Sequence, residues 1–462
     1  MEKKNKDSVL NKDLKRHVGS SIALARWIAE MSQSELAEKM GTSKSNISRA
    51  ESGSQNLTLD YIASIADALG KEVSLTFSDV KMEYGETDEY SLRLFDEELM
   101  RFELKRELEL VCNITYINEE RRDMLPLGLE VSNDGVIDWL NKRVIPKNRD
   151  LVGTILDSLG LNINDLKGII DVSMGLSLND SYWVVPVGFD GLFADFNLYS
   201  NDFSRIISLI AYTGNMYDTS QFKTSPELTT GGMLRKAWRR MSDGEIWLYK
   251  SGTADFANAG LEPYSEFYAC QVAETMGLNA VHYELENWKH ILASKCKLFT
   301  DINTAYIPIE RIVKTGGIQA CLDYYKELGE DFYQELISMI VFDAVVVNED
   351  RHFGNFGLLR DMRTGEIIAP APIFDNGLSL LCYGMEDDLE DVDKYLKSRS
   401  NPYGTGNDYM SLCKRIIGPT QREQLRRLVK FKFEESNVCN LPSWRIKILE
   451  ELVRNRAIEL LK

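Results

Sequence analysis

The sequence predicts a multidomain chain: a small all-α unit first, then a two-lobed α+β body whose second lobe is mostly helical. Three observations predict this. At 462 residues the chain is too long for one ordinary core. Residues 14–70 carry helical periodicity only, in short runs divided by turn residues. Residues 226–310 hold strand-like runs around an Asp243-Gly244 turn, whereas a long apolar helical run follows at 331–346.

Composition narrows the function classes. The chain is 44% hydrophobic and 27% charged, as expected of a globular protein. Its formal charge of -17 argues against unspecific coating of nucleic acid by the whole molecule, but leaves room for one local DNA-binding unit. Seven scattered cysteines form no C-x-x-C pair, which fits reduced cytosolic thiols better than disulfides or zinc. With four histidines, a His-based metal centre is not expected. The N-terminus "MEKKNKDSVLNKD" lacks the apolar core of a signal peptide, and no run approaches about 18 uncharged apolar residues, so no membrane span is expected.

The first unit, 1–78, reads as consecutive short helices. Leu14, Val18, Ile22, Ala25 and Ala29 recur at helical spacing. In "SQSELAEKMG", Ser32 and Glu35 have the spacing of a capping box, with Leu36 and Met40 facing a core and Gly41 making the turn. The next helix, 43–51, has Ile47 as its clearly apolar residue and exposes Ser43, Lys44, Ser45, Asn46, Ser48 and Arg49. These side chains reach phosphates or base edges. Thr58 and Gly70 bound a third helix. A short helix, a glycine turn and a polar second helix form the helix-turn-helix plan. The stretch from Met31 to Gly70 resembles the lambda-repressor/Cro-type (XRE) helix-turn-helix family. The resemblance implies that 43–51 enters the major groove and that Gln33 touches the DNA backbone. Residues 1–78 hold 11 Lys/Arg against 10 Asp/Glu, so the acidity sits in the body. Such a reader binds DNA weakly alone, and a homodimer on a two-fold operator is the usual remedy.

Residues 79–90 read as an acidic linker. The remainder of 79–225 reads as a structural subdomain, with strands in "RFELKRELELVCNITYI", helix-loop-helix in "GVIDWLNKRVIPKNRDLVGTILDSLGL", and an aromatic, β-branched run in "SYWVVPVGF".

The segment 226–310 is richer in chemistry. Gly231 and Gly232 precede a strand, the Asp243-Gly244 turn, and a second strand on which Lys250 shares a face with Ile246 and Leu248. An inward lysine is costly unless something anionic meets it. On the following helix Glu266, Cys270 and Ala273 share a face, and Glu266 is placed to pair with Lys250. A glycine turn, a strand lysine and a helix glutamate are the parts of a kinase first lobe.

The run 331–346 is apolar around most of its circumference and predicts a central buried helix. It delivers "NEDRHFGNFGLL", with Asp350, His352 and Asn355, and "PIFDNG" then presents Asp375. Phosphoryl transfer needs a carboxylate to receive or orient the hydroxyl proton, and an amide oxygen with a second carboxylate to hold Mg2+ across the phosphates. Asp350, Asn355 and Asp375 occur in that order, the first two at D-x-x-x-x-N spacing.

These two motifs resemble the HipA family of bacterial Ser/Thr kinases, and the D-R-H-x-x-N loop of phosphoinositide kinases; "WLNKRVIPKNRD" resembles a stretch of the HipA N-terminal subdomain. The resemblance implies a kinase-like fold with its first lobe at 226–310 and a helical second lobe at 311–462. It makes Asp350 the catalytic base and places His352 in the same catalytic loop as a brace. It makes Asn355 and Asp375 Mg2+ ligands, Lys250 a contact to the ATP phosphates, Glu266 the residue positioning Lys250, and Gly231 and Gly232 the phosphate loop. The family's autophosphorylated loop serine is replaced here by Thr229, with Thr230 beside it. The implied function is an ATP- and Mg2+-dependent protein Ser/Thr kinase of the HipA toxin type, cytoplasmic, fused to its own autorepressor-like DNA-binding unit. Family substrates include aminoacyl-tRNA synthetases, but no residue here names one. Two alternatives stand: a transcription regulator whose kinase fold only senses nucleotide, and a lipid kinase, against which the absence of a basic membrane-facing patch counts.

Overall fold

A computed structural model describes the chain apart from residues 1–14, 16, 17, 20, 24, 28, 30, 72, 74–88, 107–109, 216–223, 255–258 and 400–408. Most of the expected linker therefore lies outside the described residues, although its last two, Glu89 and Tyr90, already open a strand.

Among its described residues, the N-terminal unit contains helices and turns and no strand. After helical residues between 15 and 27 come α1 (Gln33–Lys39), α2 (Lys44–Glu51) and α3 (Leu59–Leu69). The capping box forms: Ser32 Oγ accepts from Glu35 N at 3.2 Å, and the Glu35 carboxylate accepts from Ser32 N at 2.6 Å. Ser43 and Thr58 cap α2 and α3 in the same way, each such cap contributing about 1 kcal/mol. Gly70 ends α3 at φ 64°, where a Cβ would be penalised. Ile22, Leu36, Ile47, Ile65 and Leu69 form the core. Arg26 forks onto Glu51 at 2.6 and 3.0 Å and pins the first helical segment to the end of α2.

Among its described residues the body holds three antiparallel sheets. The first has the order β3-β2-β1-β4, from β1 (Glu89–Leu94), β2 (Glu97–Arg106), β3 (Leu110–Ile117) and β4 (Tyr182–Pro186). Three helices, α4 (Asn133–Asn141), α5 (Val152–Asp157) and α6 (Leu166–Ser173), lie between β3 and β4, and α7 (Arg205–Thr213) follows. Trp183 and Val185 of β4 pack on Trp238 and Ile246 of the next sheet, joining this subdomain to the lobe beyond it.

That lobe has β5 (Lys236–Arg240), β6 (Ile246–Ser251), β7 (Glu284–Trp288) and β8 (Ile291–Lys297) in the order β5-β6-β8-β7. Helix α8 (Glu262–Met276), running from Pro263 in its first turn to Gly277 at φ 78°, packs against it. Next comes β9 (Thr304–Pro308), which pairs with β10 (Gly357–Asp361) and, through it, β11 (Ile367–Pro370), rather than with β8.

The second lobe is built on α9 (Gly317–Leu328) and α10 (Glu330–Val346), around which α11 (Tyr409–Ile416), α12 (Pro419–Arg426) and α13 (Ser443–Leu461) pack. From Leu336 to Val346 every residue of α10 is buried, as its all-round apolar sequence requires. Val347 stops the helix in the left-handed region at φ 55° and turns the chain into the motif at 348–359.

Candidate active site

Antiparallel pairing puts Lys250 of β6 opposite Lys236 of β5 on one side and Ser294 of β8 on the other. Both lysines are buried. Glu266, about one turn into α8, contacts Lys250 Nζ through Oε1, and its Oε2 accepts from Asn376 N at 2.7 Å. Asp375 Oδ1 lies 2.5 Å from the same Nζ. Lys250 therefore bridges α8 and the loop at 375. Burial alone would lower its pKa, but the two carboxylates raise it well above the usual lysine range. Asp375 moves the other way. Burial would raise its pKa, but Lys250 and Lys236 hold it well below the usual carboxylate range. Burial raises Glu266, opposed by Lys250.

Asp375 sits at φ 57°, a conformation that side chains rarely adopt, and its amide donates to the Tyr283 hydroxyl at 3.2 Å. The preceding Phe374 packs on Phe299 and Tyr306, each with ring centroids 5.3 Å apart. The strained residue is thus held from both sides.

The motif loop is organised by Arg351, which is wholly buried. Its guanidinium binds Asp343 of α10 at 3.1 Å, Asn355 O at 3.0 Å and Asn376 Oδ1 at 2.6 Å, and also donates to Phe374 O. One side chain fastens the helix, the loop with Asp350 and Asn355, and the loop with Asp375. Asn355 Nδ2 donates to Asp350 O at 3.1 Å, closing the turn. Burial raises the pKa of Asp350, His352 opposes that, and the negative charge of Asp375 adds to it. His352 is exposed, and its Nδ1 accepts from Gly354 N at 3.0 Å. In this arrangement it braces its own loop.

The glycine loop is anchored from beneath. Glu227 and Arg149 form an ion pair at 2.7 Å with both side chains fully buried. Arg149 also donates to the carbonyls of Glu227, Thr230 and Lys236, and Glu227 accepts from Trp238 N at 2.7 Å. Thr229 is buried, its hydroxyl donating to Leu176 O at 2.7 Å. Thr230 donates to Pro226 O at 2.6 Å and accepts from Trp238 Nε1 at 2.9 Å. Gly231 and Gly232 are exposed above them. Gly232 has φ 83°, and a Cβ there would stand 2.3 Å from Lys236 Nζ, which donates to Gly231 O at 2.8 Å. Burial, with Lys250 adding to it, brings the pKa of Lys236 down to about 7.

These features fit a nucleotide and Mg2+. Two buried lysines and an open glycine backbone suit phosphates, while the carboxylate of Asp375 and the amide oxygen of Asn355 are the hard donors Mg2+ takes. Asn376 Nδ2 and Ser294 Oγ, buried beside Lys250, have no partner among the described residues.

In the N-terminal unit Ser43, Lys44, Ser45, Ser48 and Arg49 are exposed on α2. Asn46, half-buried, donates to Thr42 Oγ1 at 2.9 Å and accepts from Arg49. Gln33 Nε2 donates to Glu51 at 2.8 Å, next to the Arg26 pair.

Sequence reading thus found the residues gathered around Lys250. It missed Arg351, though that residue stands inside the quoted motif, and Lys236, which shares a strand face with Trp238. It singled out the stretch holding Arg149 without giving that residue a role.

Comparison with known proteins agrees with this organisation. Residues 29–75 match the family model described as Helix-turn-helix. The chain is 29% identical over 142 residues to the serine/threonine-protein kinase CtkA of Helicobacter pylori (strain J99), a match spanning 27% of this chain and 42% of that protein's length. Among solved structures, the Helicobacter pylori proinflammatory kinase CtkA gives a TM-score of 0.37 at 17% identity, covering 49% of this chain and 91% of that one. A chain of the toxin antitoxin system HipA, HipB and operator DNA complex of Shewanella oneidensis MR-1 gives 0.47 at 12% identity, covering 80% and 96%. The helix-turn-helix resemblance drawn from the sequence holds for the N-terminal unit, and the α+β body that follows is similar over 142 residues to the serine/threonine-protein kinase CtkA.

Proposed function

We propose that this chain is an ATP- and Mg2+-dependent protein Ser/Thr kinase joined to its own DNA-binding unit. One observation carries the reading. Lys250 joins Glu266 to Asp375, and Arg351 locks Asp375's loop to the loop bearing Asp350 and Asn355.

In this reading Lys250 and Lys236 bind the phosphates of ATP, and Gly231 and Gly232 let the chain approach them closely. Asn355 and Asp375 would hold Mg2+, which when bound neutralises charge building on the phosphates. Asp350 orients the substrate hydroxyl and accepts its proton as that oxygen attacks the terminal phosphorus. Burial raises its pKa, which strengthens the carboxylate as a proton acceptor. Glu266 holds Lys250 in place, and His352 holds the turn between Asp350 and Asn355.

Thr229 and Thr230 are the loop positions for autophosphorylation, and their hydroxyls are engaged below the loop. Transfer to either requires the loop to leave its Arg149 anchor. The DNA-binding unit reads an operator through α2, which makes the chain an autorepressor or restrains the kinase in cis. Translation proteins, aminoacyl-tRNA synthetases among them, are the substrates the family resemblance points to.

The test is to incubate the purified chain with γ-labelled ATP and Mg2+, once with bacterial lysate and once with phosphoinositide vesicles. Label on protein serine or threonine is expected. Label on lipid alone would overturn the protein-kinase reading.

A further inference from the structure

The DNA-reading unit touches the nucleotide lobe through Trp27. Lys289 Nζ lies 4.3 Å from the centre of the Trp27 ring and donates to the Trp27 carbonyl at 3.0 Å. Trp27 also packs against the buried cluster that holds Tyr212, Tyr249 and Trp288. Within that cluster Trp288 stands 4.4 Å from Tyr212 and 5.2 Å from Tyr249, centroid to centroid, and the Arg239 guanidinium lies over Trp288 at 4.5 Å.

The turn that presents Lys289 is unusual. Trp288 pairs with Ile291, so Lys289 and His290 alone connect β7 to β8. Both are left-handed, at φ 55° and 63°. Two-residue turns of this kind strongly prefer asparagine, aspartate or glycine. A lysine and a histidine there hold a conformation their side chains disfavour, and strain of this kind marks positions kept for a contact.

Each end of the contact leads to a site. On one side Arg26, next to Trp27, forks onto Glu51, the last residue of α2, and Glu51 also receives Gln33. On the other side Tyr249 is the strand neighbour of Lys250. A shift of the β7–β8 hairpin relative to β6 must move the seat of Trp27, and a shift of α2 on DNA must pull on Arg26.

We propose that the β7–β8 hairpin is the docking seat of the DNA-reading unit, and that Trp27 in that seat couples DNA binding to nucleotide binding. The proposal rests on the kinase reading of Lys250. By linkage the coupling is reciprocal: if nucleotide changes DNA affinity by some factor, DNA changes nucleotide affinity by the same factor.

The experiment uses the full chain, a fluorescent duplex that it selects from a random library, and a non-hydrolysable ATP analogue with Mg2+. Duplex affinity is measured with and without the analogue, and analogue affinity with and without the duplex. The wild type should show equal factors of about five or more in both directions. Trp27→Ala should bind each ligand and bring the factor to one. Lys289→Gly separates coupling from folding, because glycine suits the turn and should preserve or raise stability while removing the cation. A Lys289→Gly chain that keeps the wild-type factor overturns the proposal, as does a wild type that binds both ligands with a factor of one. A wild type that binds no analogue overturns the kinase reading first, and is recognised by that binding alone.

Discussion

Lys250 Nζ stands 2.5 Å from Asp375 Oδ1, across 125 residues of sequence, while contacting Glu266 on its other side. A lysine between two carboxylates keeps Asp375 charged and in place before any ligand arrives. Removing this cation leaves Glu266 and Asp375 without the charge that pairs both, with Lys236 and Arg351 still acting on Asp375. Lys250→Met is therefore expected to lower phosphoryl transfer at least ~100-fold, the scale of losing one preorganised electrostatic group. Initial rates with labelled ATP, alongside a melting curve to confirm folding, check this.

The Arg149–Glu227 pair is fully buried, so breaking it by removing one partner leaves an uncompensated charge. Arg149→Met should cost about 3–5 kcal/mol of stability. It should also free the glycine loop and raise the labelling of Thr229 or Thr230 per folded molecule. Urea denaturation and mapping of phosphorylated residues by mass spectrometry measure the two effects.

How much of this was legible differs by element. The capping box at Ser32 and Glu35 and the apolar circumference of α10 are local patterns, and each formed as read. Lys250 was legible because alternation put a charge on an apolar face. Arg351 was not, because its four partners come from Asp343, Asn355, Phe374 and Asn376, and nothing local says that an arginine inside a polar loop turns inward. Lys236 was hidden for a related reason: its place beside Lys250 is set by cross-strand register. The pairing of β9 with β10 is likewise a long-range choice that periodicity does not encode.

Lys236 gives a pH signature. Its pKa falls from 10.5 in a free lysine to about 7 in the fold. Between those values the unfolded chain carries a proton the folded chain lacks, so this group makes stability rise as pH climbs from about 7 toward 10. Below about 7 both states are protonated and the full penalty persists. Lys236→Met removes the penalty. Its stability advantage over wild type should be largest near pH 7 and shrink by pH 9.5, as read from urea midpoints at the two pH values.

The exposed face of α2 predicts two kinds of DNA defect. Lys44→Ala, read as a phosphate contact, should weaken binding uniformly across sequences and reduce the salt slope by about one. Arg49→Ala should also relax base preference, at a cost of about 1–3 kcal/mol. Titrations of a selected and a scrambled duplex at several salt concentrations separate the two. Identical slopes and preferences in all three proteins would remove α2 from the reading role.

The central claim is that Asp350 accepts a proton during phosphoryl transfer from ATP. Its most direct test compares the wild-type chain with Asp350→Asn in one assay of γ-labelled ATP with Mg2+, after showing equal nucleotide affinity. Asparagine preserves the shape of the loop, including the Asp350 carbonyl that accepts from Asn355, and removes the base. The account predicts labelled protein serine or threonine with the wild type, and a loss of at least ~100-fold in the variant. A wild type that binds ATP and transfers no phosphate, or a variant that transfers at the wild-type rate, would contradict it.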